Sequence, residues 1–75
     1  MNEKDKVLYG MLVCLQYGDE SMVGDFHNLS KEDLINVSNE NIENYGLEEC
    51  EEDFFSIREL YSLSDLQQRF SKDLF

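Results

Sequence analysis

The chain has 75 residues and a formal net charge of −11, from 17 acidic and 6 basic side chains. That length allows one small domain, and the charge leaves no basic surface for nucleic acid or for anionic lipid. An apolar content of 41%, with five Phe and four Tyr, separates it from disordered acidic tails and predicts a folded module.

Charge is unevenly placed. Residues 1–31 carry three bases and five acids, residues 32–61 one base (Arg58) and ten acids, and residues 62–75 two of each. The middle of the chain therefore holds −9 of the total −11. A charge serving only solubility is more naturally spread over the whole surface.

In chain order, residues 6–17 are apolar on both alternating faces, the pattern of a buried central strand. A rival helical reading places Val7, Leu8, Met11, Leu12 and Leu15 on one stripe with Gly18 just past its end. Gly10 in mid-segment, with Tyr9, Val13 and Tyr17, favours the strand. A turn at Gly18-Asp19-Glu20 and a return strand over 21–27, with Val23 and Phe26 inward, follow from it. The apolar run Val7–Leu15 is too short for a membrane span. Glu3 and Asp5 also spoil the basic leader of a secretion signal, so a cytoplasmic protein is expected.

Residues 29–47 predict a helix. Ser30 is a good N-cap, Asp33 three residues later is close to the capping-box pattern, and Leu29 and Leu34 occupy the positions of a hydrophobic staple. Leu34, Val37, Ser38, Asn41, Ile42 and Tyr45 share one face, and Gly46 ends the helix. Residues 48–53 place five acids in six positions. Residues 54–61 then read as a strand, with Phe55, Ile57 and Tyr61 on one side and Phe54, Arg58 and Leu60 on the other. Ser62 caps a last helix, with Asp65 at the third position and a buried stripe of Leu63, Leu66, Phe70 and Leu74. The expected fold is α+β, in the order ββαβα: a small antiparallel sheet of about three strands packed with two helices, in a single acidic domain over 1–75.

Catalytic chemistry finds little footing. His27 is the single histidine. A triad with Ser30, Asp25 or Asp33 can be drawn on paper, but no nucleophile elbow or glycine-rich turn accompanies it. The acidic run Glu48–Asp53 lacks the glycine of an EF-hand loop. Cys14, Cys50 and His27 are too few and too scattered for zinc. No enzyme activity, cofactor or metal is expected. Cys14 and Cys50 read as buried free thiols in a reducing compartment, with a bridge between them left open.

The acids themselves are the candidate site. On the helix, Glu32, Asn36, Glu40 and Glu43 gather opposite the apolar face and span roughly 16 Å. If 48–53 is extended, Glu49, Glu51 and Asp53 share a second edge, with Glu48 and Glu52 beside them. Neither element carries the i,i+4 lysine partners that a merely soluble helix tends to have. In size, charge and the stretch Glu32–Glu59, the chain resembles the small acidic proteins of phages and mobile elements that imitate DNA. That class shares no fold or motif, so the resemblance assigns no residue. It implies a basic host DNA-binding protein, nucleoid-associated or nuclease, as partner. Glu32, Glu40, Glu43, Glu48, Glu49, Glu51, Glu52 and Asp53 would then form the contact surface. Two alternatives share the sequence: an immunity protein or antitoxin against a basic toxin, and an adaptor docking through the apolar C-terminal helix, with homodimerisation open in either case.

Overall fold

One close approach decides between the two readings of residues 6–17. In the computed structural model, which describes residues 1–18 and 26–75, this segment is a helix, α1 (Glu3–Tyr17). Gly10 lies against the backbone of the helix Lys31–Tyr45 (α2): a Cβ built on it would stand 2.3 Å from the Leu34 carbonyl oxygen. The glycine that argued for a strand is the point where two helices touch. Four residues away, the buried Ser38 hydroxyl donates to the Lys6 carbonyl, a second tie across the same crossing.

The expected α+β fold with three strands is not what forms. Among the described residues there is no strand, and the architecture is a small bundle of four helices: α1, α2, α3 (Leu47–Ile57) and α4 (Leu63–Arg69), with short 3₁₀ turns at Phe26–Asn28 and Lys72–Leu74. Of the expected return strand 21–27, residues 21–25 lie outside the described part, and Phe26 and His27 belong to the first 3₁₀ turn.

The physical reason for the first correction is burial. Val7, Tyr9, Met11, Leu12 and Cys14 are all buried, at angles that run most of the way round α1. A helix enclosed on several sides loses its polar stripe, and its sequence then mimics a central strand. Asn2 caps it, its side-chain oxygen accepting from the Asp5 amide at 2.8 Å.

α2 forms as its caps dictate. Ser30 and Asp33 exchange both capping-box hydrogen bonds, at 2.9 and 3.1 Å, and Leu34 is fully buried. Gly46, at φ +91°, ends α2 by donating to the Ile42 carbonyl, and its own carbonyl accepts from Cys50. This left-handed backbone suits glycine, and it lets the next helix start at once.

Neither the extended option for 48–53 nor the expected strand 54–61 forms. Residues 47–57 are helical because Cys50, Phe54 and Ile57 recur at i, i+4 and i+7 and bury together. Glutamates are good helix formers, and Glu48 and Glu49 in the first turn complement the helix dipole. Phe54 and Ile57, assigned to opposite sides of a strand, share one face of α3, while Phe55 points outward and Arg58 lies over both phenylalanine rings.

Ser62 and Asp65 form the second capping box as expected, but α4 ends at Arg69, short of Leu74. Leu66 and Phe70 are buried, the latter stacked on Phe26 at 5.1 Å. Leu63, expected in the buried stripe, is 61% exposed. Leu74 is half-buried against the core, and both cysteines are buried free thiols.

Candidate functional site: an acidic helix pair and a tyrosine groove

The helical state of residues 47–57 rearranges the acids. On α2, Glu32, Glu40 and Glu43 are exposed, as the helical pattern requires. On α3, Glu49, Glu51 and Asp53 do not share an edge. Instead Glu48, Glu51 and Glu52, at i, i+3 and i+4, face outward opposite Cys50, Phe54 and Ile57. Glu49 and Asp53, also i and i+4, lie on the flank turned towards α1 and α2. Carboxylates of one stripe therefore recur about every 5.4 Å along the axis.

Among the described residues, no lysine or arginine pairs with any acid of α2 or α3. The recorded ion pairs are Lys31 with Glu3 at 2.8 Å and the N-terminal ammonium with Glu51 at 3.9 Å. The lone cation of the acidic stretch, Arg58, is engaged with Phe54 and Phe55.

Sequence reasoning missed the groove beside this surface. Tyr9, Val13 and Tyr17 of α1 form one wall, Asn41 and Tyr45 of α2 another, and Glu49, Cys50 and Asp53 of α3 close a space of about 420 Å³. Asp53 is the one predicted site residue that is half-buried. Its Oδ2 accepts from the Tyr9 hydroxyl and its Oδ1 from the Tyr17 hydroxyl, both at 2.9 Å. Burial holds the Tyr9 phenol well above its ordinary range, helped by its neighbours Cys50 and Asp53. Tyr17 is raised chiefly by its hydrogen bond to Asp53. The signal was present in the sequence: Tyr9, Val13 and Tyr17 stand at i, i+4 and i+8, one stripe of a helix.

Searches against protein-family models, curated proteins and solved structures found no match. The site is therefore read on its own chemistry. His27 is exposed on its 3₁₀ turn. Among the described residues no three His, Cys, Asp or Glu side chains are grouped to hold a metal ion, and no helix is long and apolar enough to cross a membrane. Burial pushes the Cys14 thiol up, away from the reactive thiolate.

Proposed function

We propose that this protein is a DNA mimic that occupies the basic DNA-binding surface of a host nucleoid-associated protein or nuclease and so blocks DNA binding. One observation carries the reading. Glu32, Glu40, Glu43, Glu48, Glu49, Glu51 and Glu52 are exposed on two consecutive helices, and among the described residues none has a lysine or arginine partner, the N-terminal ammonium beside Glu51 being the one cation against them. Such a surface repels itself and gains by meeting cations supplied from outside.

The geometry suits the role. Each strand of B-DNA carries a phosphate about every 3.4 Å. Carboxylates repeating about every 5.4 Å along a helix are sparser, but their fields overlap within a Debye length of roughly 10 Å at 0.1 M salt. The helices that carry them are anchored through Leu34, Ser38, Cys50, Phe54 and Ile57, so the charges are held rather than tethered.

The test is capture of DNA-binding proteins from a bacterial lysate on immobilised protein at low salt, followed by elution with duplex DNA. Replacing Glu48, Glu49, Glu51 and Glu52 by Gln removes four charges from exposed positions. At about 0.5 kcal/mol per exposed pair the loss is about 2 kcal/mol, or roughly thirtyfold in affinity. Unchanged affinity in that folded variant, or indifference to salt, rejects the proposal. An immunity protein against a basic toxin would use the same charges, but its target would not be released by DNA. The adaptor reading is favoured by a different observation: Phe55, Leu60 and Leu63 are each more than 60% exposed. Alanine at these three positions should leave DNA-displaceable capture intact if the acids carry it.

A further inference from the structure

The groove between α1, α2 and α3 combines features that an acidic surface alone lacks. It is concave, it is walled by Tyr9, Tyr17 and Tyr45, and it holds two carboxylates on one flank of one helix. Glu49 and Asp53 are one turn apart, with Cβ atoms about 5–6 Å from each other. A single ammonium or guanidinium placed between them reaches both. Asp53 is also fixed in place: each of its oxygens accepts one tyrosine hydroxyl. That uses two of the roughly four acceptor sites of a carboxylate and leaves the others directed away from the phenols.

Charge complementarity selects the occupant. Among the described residues no lysine or arginine lines the space, and the acids beside it on α3 repel any anion. A neutral apolar ligand would cover Glu49 and the remaining acceptor sites of Asp53 without offering them a donor. A long basic side chain satisfies both halves, because its methylene stem covers tyrosine surface while its charged head stays with the acids.

We infer that the groove bounded by Tyr9, Tyr17, Tyr45, Glu49 and Asp53 is a receptor for one lysine or arginine side chain of a basic protein partner. The inference rests on the proposed role of the acidic face and deepens it: the outward glutamates steer the partner, and the groove fixes its register. Phosphates of a DNA duplex offer no such socket. This mimic therefore adds a contact that DNA itself cannot make, and a partner seated in it would dissociate more slowly than charge alone allows.

The experiment is an NMR titration of the intact protein, following the tyrosine ring signals, with the peptide acetyl-Gly-Gly-Lys-Gly-Gly-amide and its arginine and norleucine counterparts. The lysine and arginine peptides are expected to shift the rings of Tyr9, Tyr17 and Tyr45, and the norleucine peptide is not. Glu49→Gln and Tyr45→Ala, both at exposed positions that the fold tolerates, should each weaken binding about three- to fivefold. The isosteric Asp53→Asn should weaken it at least as much. Rings that stay still at saturating peptide, an equal response to norleucine, or full affinity in all three variants overturns the inference. The two proposals separate cleanly. Groove shifts without DNA-displaceable capture uphold the groove and reject mimicry, whereas capture lost only on neutralising Glu48, Glu51 and Glu52, with silent rings, rejects the groove.

Discussion

Replacing Gly10 by alanine tests the helix crossing on which the whole site depends. The added methyl would stand 2.3 Å from the Leu34 carbonyl oxygen, 2.9 Å from its carbon and 3.0 Å from its Cα. These are backbone atoms, so no side-chain rotation relieves the clash. Ordinary contact needs about 3.5 Å, and α1 and α2 must therefore separate by roughly 1 Å where they cross. Overpacking of this kind costs about 1–3 kcal/mol, and a backbone neighbour places it at the upper end. Alanine returns about 1 kcal/mol through its better helix propensity. The net loss is about 2 kcal/mol, from a domain whose core supplies on the order of 3–5. At roughly 4–8 °C per kcal/mol, Tm falls by about 8–16 °C. Thermal unfolding followed by far-ultraviolet circular dichroism reads this directly. A variant with unchanged or higher Tm would show propensity winning unopposed, and the crossing at Gly10 would be wrong.

Further outcomes follow from the core and the groove. Leu66→Ala should cost about 2–4 kcal/mol and leave the chain barely folded, while Leu63→Ala, on the exposed side of the same short helix, should change stability by less than about 0.5 kcal/mol; equal costs in denaturant melts would contradict the placement of α4. Ser38→Ala removes the buried bond to the Lys6 carbonyl and should cost about 1 kcal/mol by the same measurement, whereas a neutral effect would mean the two helices do not need it. In alkaline titration followed by phenolate absorbance, Tyr9 should ionise last, because burial and Asp53 favour its neutral form. The unfolded chain releases that proton near pH 10 and the folded chain only higher, so the stability it contributes is complete below pH 10 and is lost as pH rises beyond it. Four phenols titrating together near pH 10 without unfolding would count against the Tyr9–Asp53 contact.

The parts legible from sequence are those written in local chemistry. Ser30 with Asp33, Ser62 with Asp65, and Gly46 each specify a helix end within a few residues, and each formed as read. The rest depended on tertiary surroundings. Residues 6–17 resemble a strand because α1 is buried on several faces, and a helix so enclosed shows no amphipathic stripe. The run Glu48–Asp53 masks the i, i+4, i+7 pattern of Cys50, Phe54 and Ile57, because five acids surround the single apolar residue of its first turn and a half. The spacing of Tyr9, Val13 and Tyr17 lines one face of a strand as well as one stripe of a helix, so it did not separate the two readings, and the groove they make with Asp53 forms only where α1 and α3 pack as helices. The exposed acids of α2 survived unchanged. Those of α3 were redistributed into an exposed outward stripe and a groove-facing pair, of which Asp53 is half-buried.

Displacement is the most direct measure of the central claim. A fluorescent duplex bound to the purified captured protein should lose its anisotropy as this chain is added. The competing affinity should fall steeply between 50 and 200 mM salt, by about tenfold or more, because the contacts are charge pairs at an exposed surface. Ternary complexes in which duplex and chain bind together, or displacement that ignores salt, would show that the acids of α2 and α3 do not stand in for phosphates.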